Sequence, residues 1–365
     1  MWYIPIMKTL KKWFHRLKFL IPGLIAAVFY LLLPRFPRTA ETLFARGLFR
    51  AVSTLVGGAV SVLPFSITEI MAVLTVPAFF LLLAMLIRRR LKVRFLRVCG
   101  WGLSVSVLLY MVNHGNNFYR LPVEQLLALD TSVCTSEQLM EICTDLAEKA
   151  SLEREGLAED ENGTMILSEN ISATLRAADN GYRVLQKEYP VLWGGVWRAK
   201  PVLNSRRWSY TGTSGMYFPF FVEANVNIDQ PDCDIPATAA HELAHTRGFS
   251  REDECNFFAY LSCISNESQD YRYSGYLLAY TYCANTLYRY DRTLWRKARK
   301  HCSEGVLRDL QAGTKYWKQF EGKVEKASAA VNNSFLRVQR VKDGILSYGR
   351  VVELIVGHYR SMMVI

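Results

Sequence analysis

The spacing of apolar and polar positions divides the chain into two parts. Up to residue 112 the apolar positions run together; beyond it they are spaced at helical and strand periods. Phe19–Leu33 is apolar and follows a basic, aromatic N-terminus; Pro34-Arg35-Phe36-Pro37 comes next instead of a small-residue cleavage site. This predicts a retained membrane helix and not a signal peptide. Ile70–Ile87 carries no charge and ends on Arg88-Arg89-Arg90, the clearest span in the sequence. Val98–Val112 is shorter, with Gly100, Gly102 and two serines, and predicts a third span packed through its small residues. Ala51–Phe65 is apolar but interrupted by Gly57-Gly58 and closed by Pro64, which predicts an interfacial or re-entrant segment.

In the second part, Pro122–Ala150 predicts a helix, with Thr135 and Gln138 at capping-box spacing before Leu139, Ile142 and Leu146. Helices are also expected at about Glu169–Lys187, Glu254–Ile264, Tyr276–Tyr290, Val324–Val341 and Ser347–Tyr359. Met216–Ile228, rich in aromatic and β-branched residues, is the best strand. The expected architecture is α+β and mostly helical: a membrane anchor over residues 1–113, with spans at about 19–33, 70–87 and 98–112, then a second domain over 114–365.

Composition agrees with an anchor plus one sizeable domain: 365 residues, 50% of them hydrophobic. Lys and Arg number 44 against 33 Asp and Glu, a net charge of +11. Eleven of the basic residues sit in two short runs, Lys8–Lys18 and Arg88–Arg97, beside apolar spans. That is the positive-inside pattern, so the expected partner is the lipid bilayer and not nucleic acid. Three spans put both runs in the cytoplasm and residues 114–365 outside it; a fourth crossing at Ala51–Phe65 would separate the runs, although four arginines between Arg35 and Arg50 favour it. Eight cysteines without a CxxC pair indicate free thiols, not a disulfide scaffold.

The candidate chemistry lies at His241-Glu242-Leu243-Ala244-His245. Pro236 suits the first turn of a helix there and Gly248 its end. Histidines at i and i+4 share one helical face, a turn apart, and two imidazoles so placed can grip one Zn2+. Glu242 points to the side, where it would take a proton from zinc-acidified water as general base. A third ligand is needed. Arg251 stands at one expected offset and cannot ligate; Glu252 and Glu254 both can, and Asn256, one turn beyond Glu252, would orient a ligand. Glu223 and Asn225, in Glu223–Asn227, would line an open strand able to pair with an extended peptide. Tyr273 is a candidate oxyanion donor, though core packing suits it as well.

These residues resemble those of a bacterial membrane family, domain of unknown function 3810. The likeness is carried by PFS at Pro64–Ser66, EANVN at Glu223–Asn227, HELAH at His241–His245, GFSREDECNF at Gly248–Phe257, YSGY at Tyr273–Tyr276 and SYGRVVELI at Ser347–Ile355, and covers nearly the whole chain. Cys255 stands where similar sequences tend to have Ala. The resemblance implies a multi-pass protein of the bacterial cell membrane with a zincin-like domain, and names no substrate. The Glu-x-x-Ala-Asn/Asp pattern of better-known zincins is similar to Glu252–Asn256, which favours Glu252 over Glu254. The expected activity is therefore zinc-dependent hydrolysis of a peptide or protein substrate outside the cytoplasm. A non-catalytic zinc-binding sensor or scaffold is the alternative, which has no use for Glu242.

Overall fold

A computed structural model describes residues 17–88, 93–195, 197–339 and 350–363. Among the described residues four helices on the N-terminal side are long and apolar enough to cross a membrane: α1 (Lys18–Arg35), α2 (Pro37–Ser61), α3 (Ile67–Ile87) and α4, whose apolar stretch is Arg94–Asn113. The chain is thus a membrane-associating, mostly helical protein.

Helices α1 and α4 run side by side in the same direction. The Phe19 ring fills the space at Gly100, where a Cβ would come within 2.9 Å of it. One turn further along both helices, the Gly23 N–H donates to Ser104 Oγ at 2.8 Å. The small residues of α4 are what let the two backbones approach. Helix α3 starts at the other part of the chain: Ser66 caps it by accepting from the Glu69 N–H at 2.9 Å. Only residues 88–92 separate α3 from α4 in sequence, too short a link to part their ends by more than about 21 Å. At 21 residues α3 is about 30 Å long, the thickness of a bilayer's hydrocarbon core.

Helix α2 behaves differently. The expected interfacial segment at Ala51–Phe65 is the second half of a helix that already begins at Pro37. Five of its buried positions, Glu41, Ala45, Phe49, Ser53 and Gly57, recur every four residues, with buried Ala40 and Phe44 beside the first two. In an ideal α-helix that stride drifts by about 40° per step. Wider, i→i+5 turns over Ala40–Phe49 and Ser53–Gly57 take up the drift and keep the stripe straight. The stripe lies on the rest of the protein. Arg120 grips Glu41 with two bonds of 2.8 Å, Ser53 Oγ donates to Thr246 O at 2.7 Å, and the Arg198 N–H donates to Ser61 Oγ at 3.4 Å. The opposite face exposes Leu43, Leu48 and Leu55.

Beyond α4 come α5 (Val123–Leu126), α6 (Ser136–Arg154), α7 (Ile171–Glu188), β1 (Lys200–Val202), α8 (Ser205–Ser209), β2 (Gly215–Phe218), β3 (Glu223–Asn227), α9 (Ile235–Thr246), α10 (Glu252–Ile264), α11 (Gln269–Tyr290), α12 (Arg292–Arg299), α13 (Glu304–Lys318), α14 (Lys323–Val338) and α15 (Arg350–Met363). The Thr135–Gln138 capping box is present, but it starts α6; the helix expected from Pro122 is broken over 127–135. The ends expected at Val341 and Ser347 fall outside the described residues. The single expected strand is a hairpin: Pro219 ends β2, Val222 turns the chain with positive φ, and β3 follows. In the sheet β3 is central, parallel to β1 and antiparallel to β2, with Gly215 opposite Val226 and Phe218 opposite Glu223.

The core lies between this sheet and the helix pair α9–α10, closed by α6, α7 and α11, and Phe49 of α2 belongs to it. None of the eight cysteines is paired.

Candidate metal centre

Helix α9 is set by its ends. Pro236 sits in its first turn, where the missing N–H costs nothing. Ser274 Oγ accepts from the Ala237 N–H at 3.0 Å and itself donates to Cys233 O at 2.5 Å. Past the last turn Gly248 adopts φ +83°, a left-handed conformation that reverses the chain. Arg120 donates to its carbonyl at 2.8 Å. The reversal returns α10 across the face that carries His241 and His245.

Both imidazoles are fixed from behind. His241 Nδ1 lies 2.9 Å from Asn256 Oδ1, and His245 Nδ1 lies 2.7 Å from Phe249 O. An oxygen partner at each Nδ1 assigns the proton there, so that in the neutral ring each Nε2 carries the lone pair that faces the cation site. Both Nε2 atoms face one carboxylate: Glu252 Oε2 is 3.2 Å from His241 Nε2, and Glu252 Oε1 is 3.8 Å from His245 Nε2. Glu242 flanks this group and is buried, with Oε2 lacking any hydrogen-bond partner. An orphaned buried carboxylate oxygen beside two lone pairs and a second carboxylate is a donor set that asks for a cation.

The charges show the same demand. Burial opposes a charge on His241, but Glu252 and Glu242 outweigh it and lift the ring to about 9. Burial, only partly offset by Glu252, pushes His245 down to about 4. Burial raises Glu242 to about 8 against the pull of His241 and of the Tyr217 N–H. Burial works against ionised Glu252 too, yet the two histidines hold it down at about 2. Access is from the Glu252 side, where that side chain is 23% exposed against 6% for His245.

Cys255 complicates the donor set. His241, His245 and Cys255 offer ligand atoms within 4.8 Å of one another, a cluster that could hold a metal. Yet Cys255 Sγ meets His245 at Nδ1, 3.3 Å away, and shares the Phe249 carbonyl with it at 3.3 Å. That edge of the ring is already committed. Burial also holds the Cys255 thiol far above its ordinary value, hence neutral, whereas a ligand must be a thiolate. The Nε2 side with Glu252 suits a cation better.

The other expected site residues lie elsewhere. Glu254 points away: it accepts from the Val123 N–H at 3.0 Å and pairs with Arg251 at 2.6 Å. Glu223 and Asn225 are not on an open strand, because β3 is central and wholly buried. Glu223 instead accepts from the Ile67 and Thr68 N–H groups at 3.0 and 2.8 Å and pairs with Lys200 at 2.7 Å. Asn225 Oδ1 accepts from Ser66 Oγ at 2.6 Å. Together they bolt the start of α3 to the sheet, which physically joins the PFS and EANVN motifs. Tyr273 is also remote: its hydroxyl donates to Asp309 at 2.5 Å in a buried group with Arg154.

Four residues at the site escaped the sequence analysis. The His114 ring, one residue past α4, lies 5.8 Å from the His245 ring, and Ser250 Oγ is 3.1 Å from its Nδ1. The Tyr217 ring stacks on His245 at 5.6 Å. A Cβ at Gly215 would come within 2.5 Å of Glu242 Oε1, so only glycine fits beside that carboxylate. Burial raises the Tyr282 hydroxyl, and the Glu252 carboxylate adds to that shift. Of these only His114 left a trace in the sequence: a histidine directly after a span, in a chain with six.

Fold and site together define a membrane-associating helical protein with a two-histidine, one-carboxylate constellation at a helix reversal. The family described as protein of unknown function (DUF3810) matches residues 44–356, and the chain belongs to it. The bounds of that match take in most of α2, the site and the first half of α15. No curated protein and no solved structure matches the chain.

Proposed function

We propose that the chain is a zinc-dependent peptidase whose metal is held by His241 Nε2, His245 Nε2 and the Glu252 carboxylate, with Glu242 as general base. The observation that carries this reading is the convergence of both Nε2 atoms on Glu252, with the unpartnered Glu242 Oε2 alongside. Asn256 and the Phe249 carbonyl orient the two rings from behind. When bound, zinc supplies Lewis acidity, acidifying water and polarising a carbonyl at neutral pH.

Glu242 takes the proton from attacking water and returns it to the leaving nitrogen, while the water oxygen bonds to the carbonyl carbon as the C–N bond breaks. The edge of β2 away from β3, which begins at Gly215 beside Glu242 and carries no further strand among the described residues, replaces Glu223–Asn227 as the strand for an extended peptide.

The same reading gives the protein three crossings. Helices α1, α3 and α4 span the bacterial cell membrane, α2 lies along its outer surface, and the domain beyond Asn113 stands outside the cytoplasm. Purified full-length protein in nanodiscs, loaded with zinc and incubated with a diverse peptide library, tests the activity by mass spectrometry. Cleavage in wild type and its loss in Glu242→Gln is the expected result; identical peptide profiles for the two would refute hydrolysis.

A further inference from the structure

We infer that the substrate is a polypeptide anchored in the same bilayer, cut within about five residues of the point where it leaves the membrane. This deepens the hydrolytic reading above and rests on it.

The argument concerns height above the membrane. The membrane helices α3 and α4 meet the domain at one end of the β2–β3 hairpin. At that end Phe218 pairs with Glu223, and Glu223 holds the first N–H groups of α3. The last residue of α4 docks at the same place: Asn113 Nδ2 donates to Pro219 O at 2.8 Å, and Asn113 O accepts from the Tyr217 hydroxyl at 3.1 Å. Phe218, Phe220 and Phe221 cluster there with ring centroids 5.3 and 5.5 Å apart, the aromatic character of a membrane interface. Helix α4 is apolar up to this level, and α3 is apolar from Ile70, one turn past its start, so the Phe218 end of the hairpin lies within about one helical turn of the bilayer surface.

The other end of the same short strand is the catalytic end. Gly215 abuts Glu242, and three residues of strand from Phe218 to Gly215 span only about 10 Å. A second tether fixes the same height: His114 follows α4 directly and its ring lies 5.8 Å from that of His245. The exposed leucines of α2 lie on the outward side of the helix that carries Ser53 against Thr246, next to the metal-binding helix.

A chain paired along β2 is therefore measured from the membrane. With the bilayer at the level of Phe218 and the reacting carbonyl at Gly215, an extended substrate reaches the site three to five residues after leaving the lipid, at roughly 3.4 Å per residue. Anchoring in the same bilayer also replaces a bimolecular encounter with a tethered one.

The test uses the full-length, zinc-loaded protein co-reconstituted with a single-span probe. The probe carries about 40 residues of randomised extramembrane sequence, enough to reach roughly 130 Å from the bilayer. The same randomised sequences without the span form a soluble pool, and Glu242→Gln supplies the background. The expected result is Glu242-dependent cuts concentrated in the first five or so residues beyond the span, at least about tenfold faster than in the soluble pool. Glu242-dependent cuts spread evenly along the segment, or soluble sequences cut as fast as anchored ones, would overturn the inference and leave the peptidase reading intact. No Glu242-dependent cut in either pool would overturn both.

Discussion

Asn256 Oδ1 lies 2.9 Å from His241 Nδ1, behind the ring whose front faces Glu252. Residues 252 and 256 are one turn apart on α10, so a single helix grips both edges of one imidazole. The pair therefore fixes the rotation of α10 as well as the tautomer of His241.

That rotation separates the two rival carboxylates. Glu252→Ala removes the group facing both Nε2 atoms and should abolish stoichiometric metal, a loss of several kcal/mol in zinc affinity. Glu254→Ala should keep about one zinc per chain. It should lower the melting temperature instead, because the buried Val123 N–H loses its acceptor at a cost of ~1–3 kcal/mol. Elemental analysis and thermal melts of the two variants side by side check this; a metal-free Glu254→Ala beside a loaded Glu252→Ala would reverse the assignment.

Asn256→Ala should leave all three proposed ligands in place but free the His241 ring to turn. Second-layer partners of this kind are worth roughly 10–100-fold in metal affinity. Competition with a chromophoric chelator measures it, and an unchanged dissociation constant would mean that packing alone orients His241.

The centre of the site was legible because its signals are local. A His-x-x-x-His pair, Pro236 and Gly248 specify a helix, its start and its reversal within thirteen residues. Glu252 is preferred to Glu254 because Glu252–Asn256 resembles the Glu-x-x-Ala-Asn/Asp pattern of better-known zincins, a preference that its i, i+4 spacing to Asn256 supports. What was not legible is what packs against the site from a distance. His114 and Tyr217 reach His245 only through tertiary contacts, and Tyr282 sits on a helix whose buried face shows no distinct signature. Glu223 misled because an acid on a strand looks the same whether it lines a cleft or pairs with a buried Lys200. The four-residue stride of α2 was hidden for another reason: it fits neither an ideal helix nor a strand, and only the wider turns make it a face.

Glu223→Ala tests the structural role that replaces its expected place in the site. It would strand the buried Lys200 ammonium and two N–H groups at the start of α3, a destabilisation of ~3–5 kcal/mol. Glu223→Gln, which keeps an acceptor, should lose less, and the folded fraction of either variant should bind zinc as wild type does. The pH dependence has a definite sign. Burial opposes ionisation of Glu223, but Lys200 and the Thr68 and Ile67 donors hold its carboxyl below the ordinary range. Its stabilisation is therefore complete above the unfolded value of about 4.3 and is lost as pH falls toward the lower folded value. Melting curves from pH 7 to 3 should show a smaller acid-induced fall in Glu223→Gln than in wild type.

The topology turns on α2. This helix is 25 residues long and apolar enough to cross, and a perpendicular crossing would set its ends about 37 Å apart across the bilayer. Its contacts favour the three crossings proposed above. Near its start Glu41 is held by Arg120, midway Ser53 bonds Thr246, and at its end Ser61 meets Arg198. All three partners follow α4 in the chain, so in that reading both ends of α2 lie on the side of the candidate metal centre. Parallel α1 and α4 end on that side and α3 begins there, which leaves Arg88 at the far face with the second basic run. Three crossings thus place Arg88 in the cytoplasm and Val133, which is 95% exposed, outside. A membrane-impermeant maleimide should label Val133→Cys on intact cells and Arg88→Cys only after lysis. Four crossings would reverse both results, since each further crossing exchanges the sides of everything downstream. Reversed labelling would put the metal centre in the cytoplasm, and a span probe with its segment outside would then escape cleavage altogether.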